Sequence, residues 1–244
     1  MAKYSPLNSG TRLVDGNEKV GLTISREFQA HINQIEALKV KSGATDQLGI
    51  HVDDDGIVRI GDGVTNYTQF ATDGEITLAG TARVTRHIRI AAASWKPGVS
   101  APSVNFVGIW GTIGFDALSD DEVSYSVIVP YRIAAGTTID LAVDWCYEGG
   151  DDAGTVCWGI EYQFLAQGGA VDGTTTTILG TSAGNHTTGT LVRTEIDTGM
   201  VGALEGEILG MRLYRDISGD TLAVDAELIQ VHLHYVMDTL GGAT

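Results

Sequence analysis

Gly206–Tyr235 reads GEILGMRLYRDISGDTLAVDAELIQVHLHY. Two apolar runs flank a turn-rich middle, Arg215-Asp216-Ile217-Ser218-Gly219-Asp220. In the first run Leu209, Met211 and Leu213 fall on one face, opposite Gly210, Arg212 and Tyr214. In the second, Ile229, Val231, Leu233 and Tyr235 fall on one face, opposite Leu228, Gln230, His232 and His234. A period of two is the mark of half-buried antiparallel strands. The second run is long, apolar and late in the chain, so earlier strands must cover it.

Working outward, the neighbouring segments supply that cover. Ile139, Leu141, Val143 and Trp145 alternate, and so do Val156, Trp158, Ile160, Tyr162 and Phe164. These runs are expected to form the aromatic centre of a core made of Leu141, Val143, Trp145, Trp158, Ile160, Tyr162, Leu213, Val231 and Leu233. Further strands are expected at Ala82–Ile90, Val104–Ile113, Val123–Val129, and Thr174–Leu179 or Leu191–Ile196. About eight strands with glycine-rich connections fit a jelly roll, two antiparallel sheets packed face to face. Gly168 to Gly189, rich in Thr, Gly and Ser, reads as a surface excursion.

Upstream the texture differs. Residues 1–22 read as an extended polar arm, packed on its own trimer or pinned to a larger assembly. Ile24 to Val40 reads as the one helix, capped by Thr23 or Ser25 and stopped at Gly43. Ile24, Phe28, His31, Ile35 and Leu38 alternate by four and three, an a/d seam that can form a short parallel coil. His31 there reads as a register-fixing polar residue. Leu48 to Gly80 carries Asp55-Gly56, Asp62-Gly63 and Asp73-Gly74, which are hairpin signals. Asp53, Asp54 and Asp55 lack the alternating donor pattern of a calcium loop and read as an acidic turn. The fold class is therefore mainly β: arm and trimerisation helix over 1–47, a β-hairpin connector over 48–81, and a jelly-roll sandwich over 82–244.

The 244 residues carry 31 acidic and 15 basic side chains, a formal charge of −16. Such a surface disfavours nucleic acid and anionic membrane as partners, because phosphate binding needs clustered Lys and Arg. No secretory leader or membrane span is expected, so the default is synthesis in a cytoplasm. Cys146 and Cys157 read as free thiols in a reducing compartment. A cross-strand disulfide is the alternative if a hairpin turns through Glu148–Ala153.

No G-x-S-x-G elbow, P-loop or H-E-x-x-H motif is present. Asp144 and Glu161 can face each other on neighbouring strands, but nothing around them suggests a sugar cleft. The expectation is no enzyme, no catalytic residues and no cofactor. His232 and His234 share a strand face and would need a third ligand, His87 or His186, to hold a metal. The cupin spacing is missing, and a solvated face or subunit contact is the preferred reading, with no metal.

Thr65 to Ile90, TNYTQFATDGEITLAGTARVTRHIRI, resembles a passage in bacteriophage virion proteins. In those proteins a strand of the form DG-x-hydrophobic-x-hydrophobic-x-G-x-A leads from an attachment region into a C-terminal β domain. Here it is Asp73 to Ala82. The run GMRLYRDISGDTLAVDAELIQVHLHY is similar to the last two strands of such domains, including Arg212-Leu213-x-Arg215-Asp216 and Asp225-Ala226. The resemblance covers about two thirds of the chain and brings no catalytic residues. It implies a homotrimer on the outer surface of a virion, assembled in the host cytoplasm. Its partners would be itself and a major capsid protein or other virion protein. Capsid decoration or cementing is the expected role; a head or tail fibre recognising a host receptor is the alternative.

Overall fold

A computed structural model describes residues 37–42, 45–52, 55–61, 65–149, 154–184, 187–196 and 198–240. The described chain is built from antiparallel strands. A small sheet comes first: β1 (Ala37–Ser42), β2 (Thr45–Val52), β3 (Val58–Gly61), β4 (Tyr67–Phe70) and β5 (Ile76–Leu78), paired in sequence order. Two of its turns are set by glycines of positive φ, Gly56 and Gly74, each after an aspartate.

The sandwich follows. Its strands are β6 (Val84–Ala91), β7 (Lys96–Pro97), β8 (Ser103–Val107), β9 (Trp110–Phe115), β10 (Glu122–Ile128), β11 (Asp140–Tyr147), β12 (Thr155–Leu165), β13 (Thr176–Ala183), β14 (Val192–Glu195), β15 (Ile208–Arg215) and β16 (Ala226–Met237). A front sheet has the order β14-β11-β16-β9-β8, with β6 also paired to β16. A back sheet has the order β13-β12-β15-β10-β7. The layered, jelly-roll-like arrangement buries one continuous apolar core between the sheets. After β16 the chain makes β17 (Thr239–Leu240), which pairs with β5. The end of the described chain thus ties the small sheet to the sandwich.

The core is aromatic at its centre. Trp158 is fully buried, 6.4 Å from the Trp145 ring and 5.0 Å edge-on from Phe115. Trp145 donates its indole N–H to Thr194 Oγ1 at 2.9 Å. Leu141, Val143, Ile160, Tyr162, Leu213, Val231 and Leu233 are buried around them. Under the Arg215–Asp220 turn lies a buried charge. Arg215 Nε and Nη2 donate to Asp220 at 2.7 and 3.0 Å. The remaining donors reach the carbonyls of Leu222 at 2.6 Å, Val224 at 2.9 Å and Phe115 at 3.0 Å. All five guanidinium N–H groups are used, which is what lets a charged side chain sit in the core.

Several expectations change. Ala37–Val40, assigned to the end of a helix, belong to β1, so Leu38 is a strand residue rather than a seam residue. Pairing with β2 decides this segment: its six residues gain a full ladder partner, which outweighs a weak helical period. The other seam positions, Ile24, Phe28, His31 and Ile35, lie outside the described residues, as do the arm and Asp53-Asp54. Val104–Ile113 is not one strand but a hairpin, turned at Gly108 with φ +61°. Gly168 to Gly189 contains β13, and both β13 and β14 exist.

The parity of β16 also breaks. Asp144 pairs with Gln230 and the next residue, Trp145, with Leu228, so Ile229 is an extra residue on β16. Such a bulge flips the faces on either side of it. Leu228 is therefore a core residue alongside Val231 and Leu233. Finally, β11 and β12 lie in different sheets. Asp144 and Glu161 do not face each other, and Cys146 and Cys157 are free and buried.

Replacing Asp220 by Ala leaves the Arg215 charge buried without its carboxylate. Urea unfolding of D220A is expected to show a loss of about 3–5 kcal/mol; a loss below about 1 kcal/mol would mean the pair is not what holds this turn.

Candidate functional site

Three surface features stand out, and β16 and its neighbours build the first. Facing outward on the front sheet, Asp140 is in register with His234 and His234 with His87. In the next row Glu195, Ala142, His232 and Arg89 lie side by side. Beyond them are Arg193, Asp144 and Gln230. Asp144 is fully buried beneath this layer. It accepts from Arg193 Nε at 2.7 Å and Nη2 at 3.0 Å, from Gln230 Nε2 at 2.8 Å, and pairs with His232 Nε2 at 2.7 Å. Burial alone would raise its pKa. The hydrogen bonds from Arg193 and Gln230, with the charges of His232 and Arg193, outweigh that and hold it below the ordinary carboxylate value.

The imidazoles cluster beside this carboxylate. His87 and His234 meet edge-on with ring centroids 4.5 Å apart, and His232 and His234 with centroids 6.0 Å apart. Burial, then the charge of His87, pushes the pKa of His234 down. One ring nitrogen from each of His87, His232 and His234 lies within 4.8 Å of the others. His186, the other candidate third ligand, lies outside the described residues.

A second feature is on the outer face of the back sheet. Gly210 sits between Gln163 on β12 and Ser126 on β10 and leaves a gap in the side-chain layer. A shallow hollow of about 450 Å³ results, lined by Ser94, Lys96, Ser124, Ser126 and Gly210. Next to it, Glu161, Gln163, Thr175 and Arg212 border a second hollow of about 240 Å³. Arg212 bridges Glu122, at 2.5 Å, and Glu161. Tyr214 lies flat over Gly159, where a Cβ would stand 2.2 Å from the ring.

The third feature is the β8–β9 hairpin. Val104 is 75% exposed, Phe106 74%, Ile109 91% and Trp110 60%. Val104 is in register with Ile113, which is buried. Both point toward the back sheet, but β8 lies one strand further out and nothing among the described residues covers it. Its outer edge is also unpaired among the described strands. The signal was present in Val107-Gly108-Ile109-Trp110-Gly111, where glycines interrupt an apolar run. Arg193 and the burial of Asp144 gave no such signal, because both depend on which strand lies beside β11.

No family model matches the chain, and no curated protein matches it. Among solved structures, one similar chain is an exo-β-1,3-galactanase from Phanerochaete chrysosporium, at 11% identity and a TM-score of 0.38, over 68% of this chain and 32% of that one. Another is a CBM35 from Cellvibrio japonicus, at 12% identity and 0.36, over 65% and 95%. A third is from infectious bursal disease virus, at 13% identity and 0.32, over 82% and 45%. This chain thus spans less than half of the galactanase and viral chains. At these scores the likenesses carry no argument, and the sandwich stands on its own strand pairing. No helix among the described residues is long and apolar enough to cross a membrane.

The cysteines generate a prediction. Burial, then Glu227 and Glu148, push the Cys146 thiol up to about 11, and burial, then Asp216 and Asp220, push Cys157 up as well. Both thiols are expected to resist an aromatic disulfide reagent near neutral pH in the folded protein and to react fully in denaturant. Rapid reaction of the native protein, or no reaction after unfolding without reductant, would contradict that.

Proposed function

We propose that this chain is a structural virion protein of a bacteriophage, a homotrimer that decorates the outer surface of the capsid and stabilises it. The observation that carries the reading is the uncovered apolar hairpin, Val104, Phe106, Ile109 and Trp110, on a chain of formal charge −16. Single exposed apolar residues are ordinary. Four large ones on one hairpin, Val104 and Phe106 on one face and Trp110 on the other, flank an open strand edge and gain by being covered. The covering partner in this reading is a neighbouring subunit or the major capsid protein. The acidic remainder keeps the protein soluble and away from the packaged genome. The resemblance of Thr65–Ile90 and of the two last sandwich strands to virion proteins supplies the setting. The chemistry is binding rather than turnover, and trimerisation multiplies weak contacts into avidity.

The polar hollows around Gly210 favour a second reading, a fibre-tip module that recognises a host glycan or protein. Small side chains beside Lys96, Glu161 and Arg212 suit hydroxyl-rich ligands.

Two measurements separate the readings. The purified protein is expected to sediment as a trimer, and particles lacking it are expected to lyse at milder heat or osmotic shock. Phe106→Ser with Trp110→Ser is expected to lower occupancy on particles at least about tenfold, the scale of losing one well-packed anchor. A monomer whose removal leaves particle stability unchanged would overturn the decoration reading. Specific glycan-array binding that is abolished by Gly210→Trp would establish the second.

A further inference from the structure

The outward face of the front sheet carries a site that the decoration role does not use. We propose that His87, His232 and His234 form a binding site for a borderline divalent cation of the Zn²⁺ class. The fold brings His87 beside two imidazoles that are far from it in sequence. His232 and His234 are two residues apart on β16 and project from one face. His87 is the direct cross-strand partner of His234 on β6. One nitrogen from each lies within 4.8 Å of the others. Tetrahedral zinc, with Zn–N bonds of about 2.0–2.1 Å, needs nitrogens about 3.4 Å apart. His87 is exposed, so its ring can turn toward that spacing, while His232 and His234 must approach it from their places on β16.

The ring least able to move is already oriented. His232 is buried, and its Nε2 is 2.7 Å from Asp144 Oδ2. Asp144 is itself fixed by Arg193 and Gln230. A carboxylate that accepts one ring N–H of a histidine fixes its tautomer and leaves the other nitrogen's lone pair for a metal. Here that leaves Nδ1. Asp140, in register with His234, and Glu195, in the His232 row, bring negative charge to the site. Arg89 and Arg193 flank it with positive charge, and Arg193 Nη2 is 3.4 Å from His232 Nε2. Imidazole donors suit Zn²⁺, Co²⁺, Ni²⁺ and Cu²⁺ far better than Mg²⁺ or Ca²⁺. Three protein ligands leave a fourth position for water or for a carboxylate from a neighbouring molecule.

The test uses the untagged full chain with zinc chloride, read by native mass spectrometry and by titration calorimetry. Cobalt chloride serves as a spectroscopic probe through the visible absorption of tetrahedral Co²⁺. Wild type is expected to take up one Zn²⁺ per chain and to melt at a higher temperature in its presence. His87→Ala, on the exposed rim, is expected to fold normally and to lose stoichiometric uptake, the melting shift and the cobalt band. Asp144→Asn is expected to bind about 10- to 100-fold more weakly, as for loss of an orienting carboxylate. Should that variant misfold, His87→Ala carries the test alone. No stoichiometric uptake by wild type, or uptake undiminished in His87→Ala, would overturn the proposal.

Discussion

One strand constrains everything around it. β16 has two partners along one edge, β6 and β9, and β11 along the other. It must also bury a core face on both sides of a one-residue bulge at Ile229. Without the bulge, a core face that includes Val231 and Leu233 would put Ala226 and Leu228 on the outside. With it, all four point at the back sheet. The same bulge leaves Gln230, His232 and His234 in one outward row against Asp144 and His87. Core and polar face are thus two results of one irregularity in one ladder.

The two outer faces are finished differently. The front sheet is covered by a dense polar layer in which a buried carboxylate is shared by a guanidinium, an amide and an imidazole. The back sheet is left shallow by Gly210 and held at its centre by Arg212 between Glu122 and Glu161. The β8–β9 corner carries four large exposed apolar side chains, and a second exposed pair, Ile128 and Ile208, lies on the back sheet. In the proposed decoration role, an apolar corner beside a largely polar front face would favour binding a neighbour there over adhesion of front face to front face.

How much of this was readable in the chain follows from how local the information was. β15 and β12 could be placed to within a residue or so, since Leu209-Met211-Leu213 and Val156-Trp158-Ile160 alternate without interruption. The Asp-Gly turns at Gly56 and Gly74 were equally local. The hidden features were non-local. A bulge cannot be seen in β16 alone, because Ile229 becomes the extra residue only when Asp144 and Trp145 choose their partners. The third histidine could be named only as one of two candidates, His87 or His186, because His87 meets His234 across more than half the chain. The helix assigned to Ala37–Val40 failed for the same reason, since its strand state depends on β2. Sequence proximity suggested that β11 and β12 were a hairpin, and the sandwich places them in opposite sheets. That misplacement produced the imagined disulfide.

The pairing of β6 with β16 and of β5 with β17 has a temporal meaning. Val84 is matched with Met237, and Ile76 with Leu240. Loops of this span close slowly, because their entropy must be surrendered before any contact rewards it. During synthesis β6, and the outer edge of β5, emerge before these partners exist. They stay open until β16 and β17 have left the ribosome. The nascent chain is thus most prone to stray pairing before these late strands appear, and β16 with β17 acts as the latch that ends that interval.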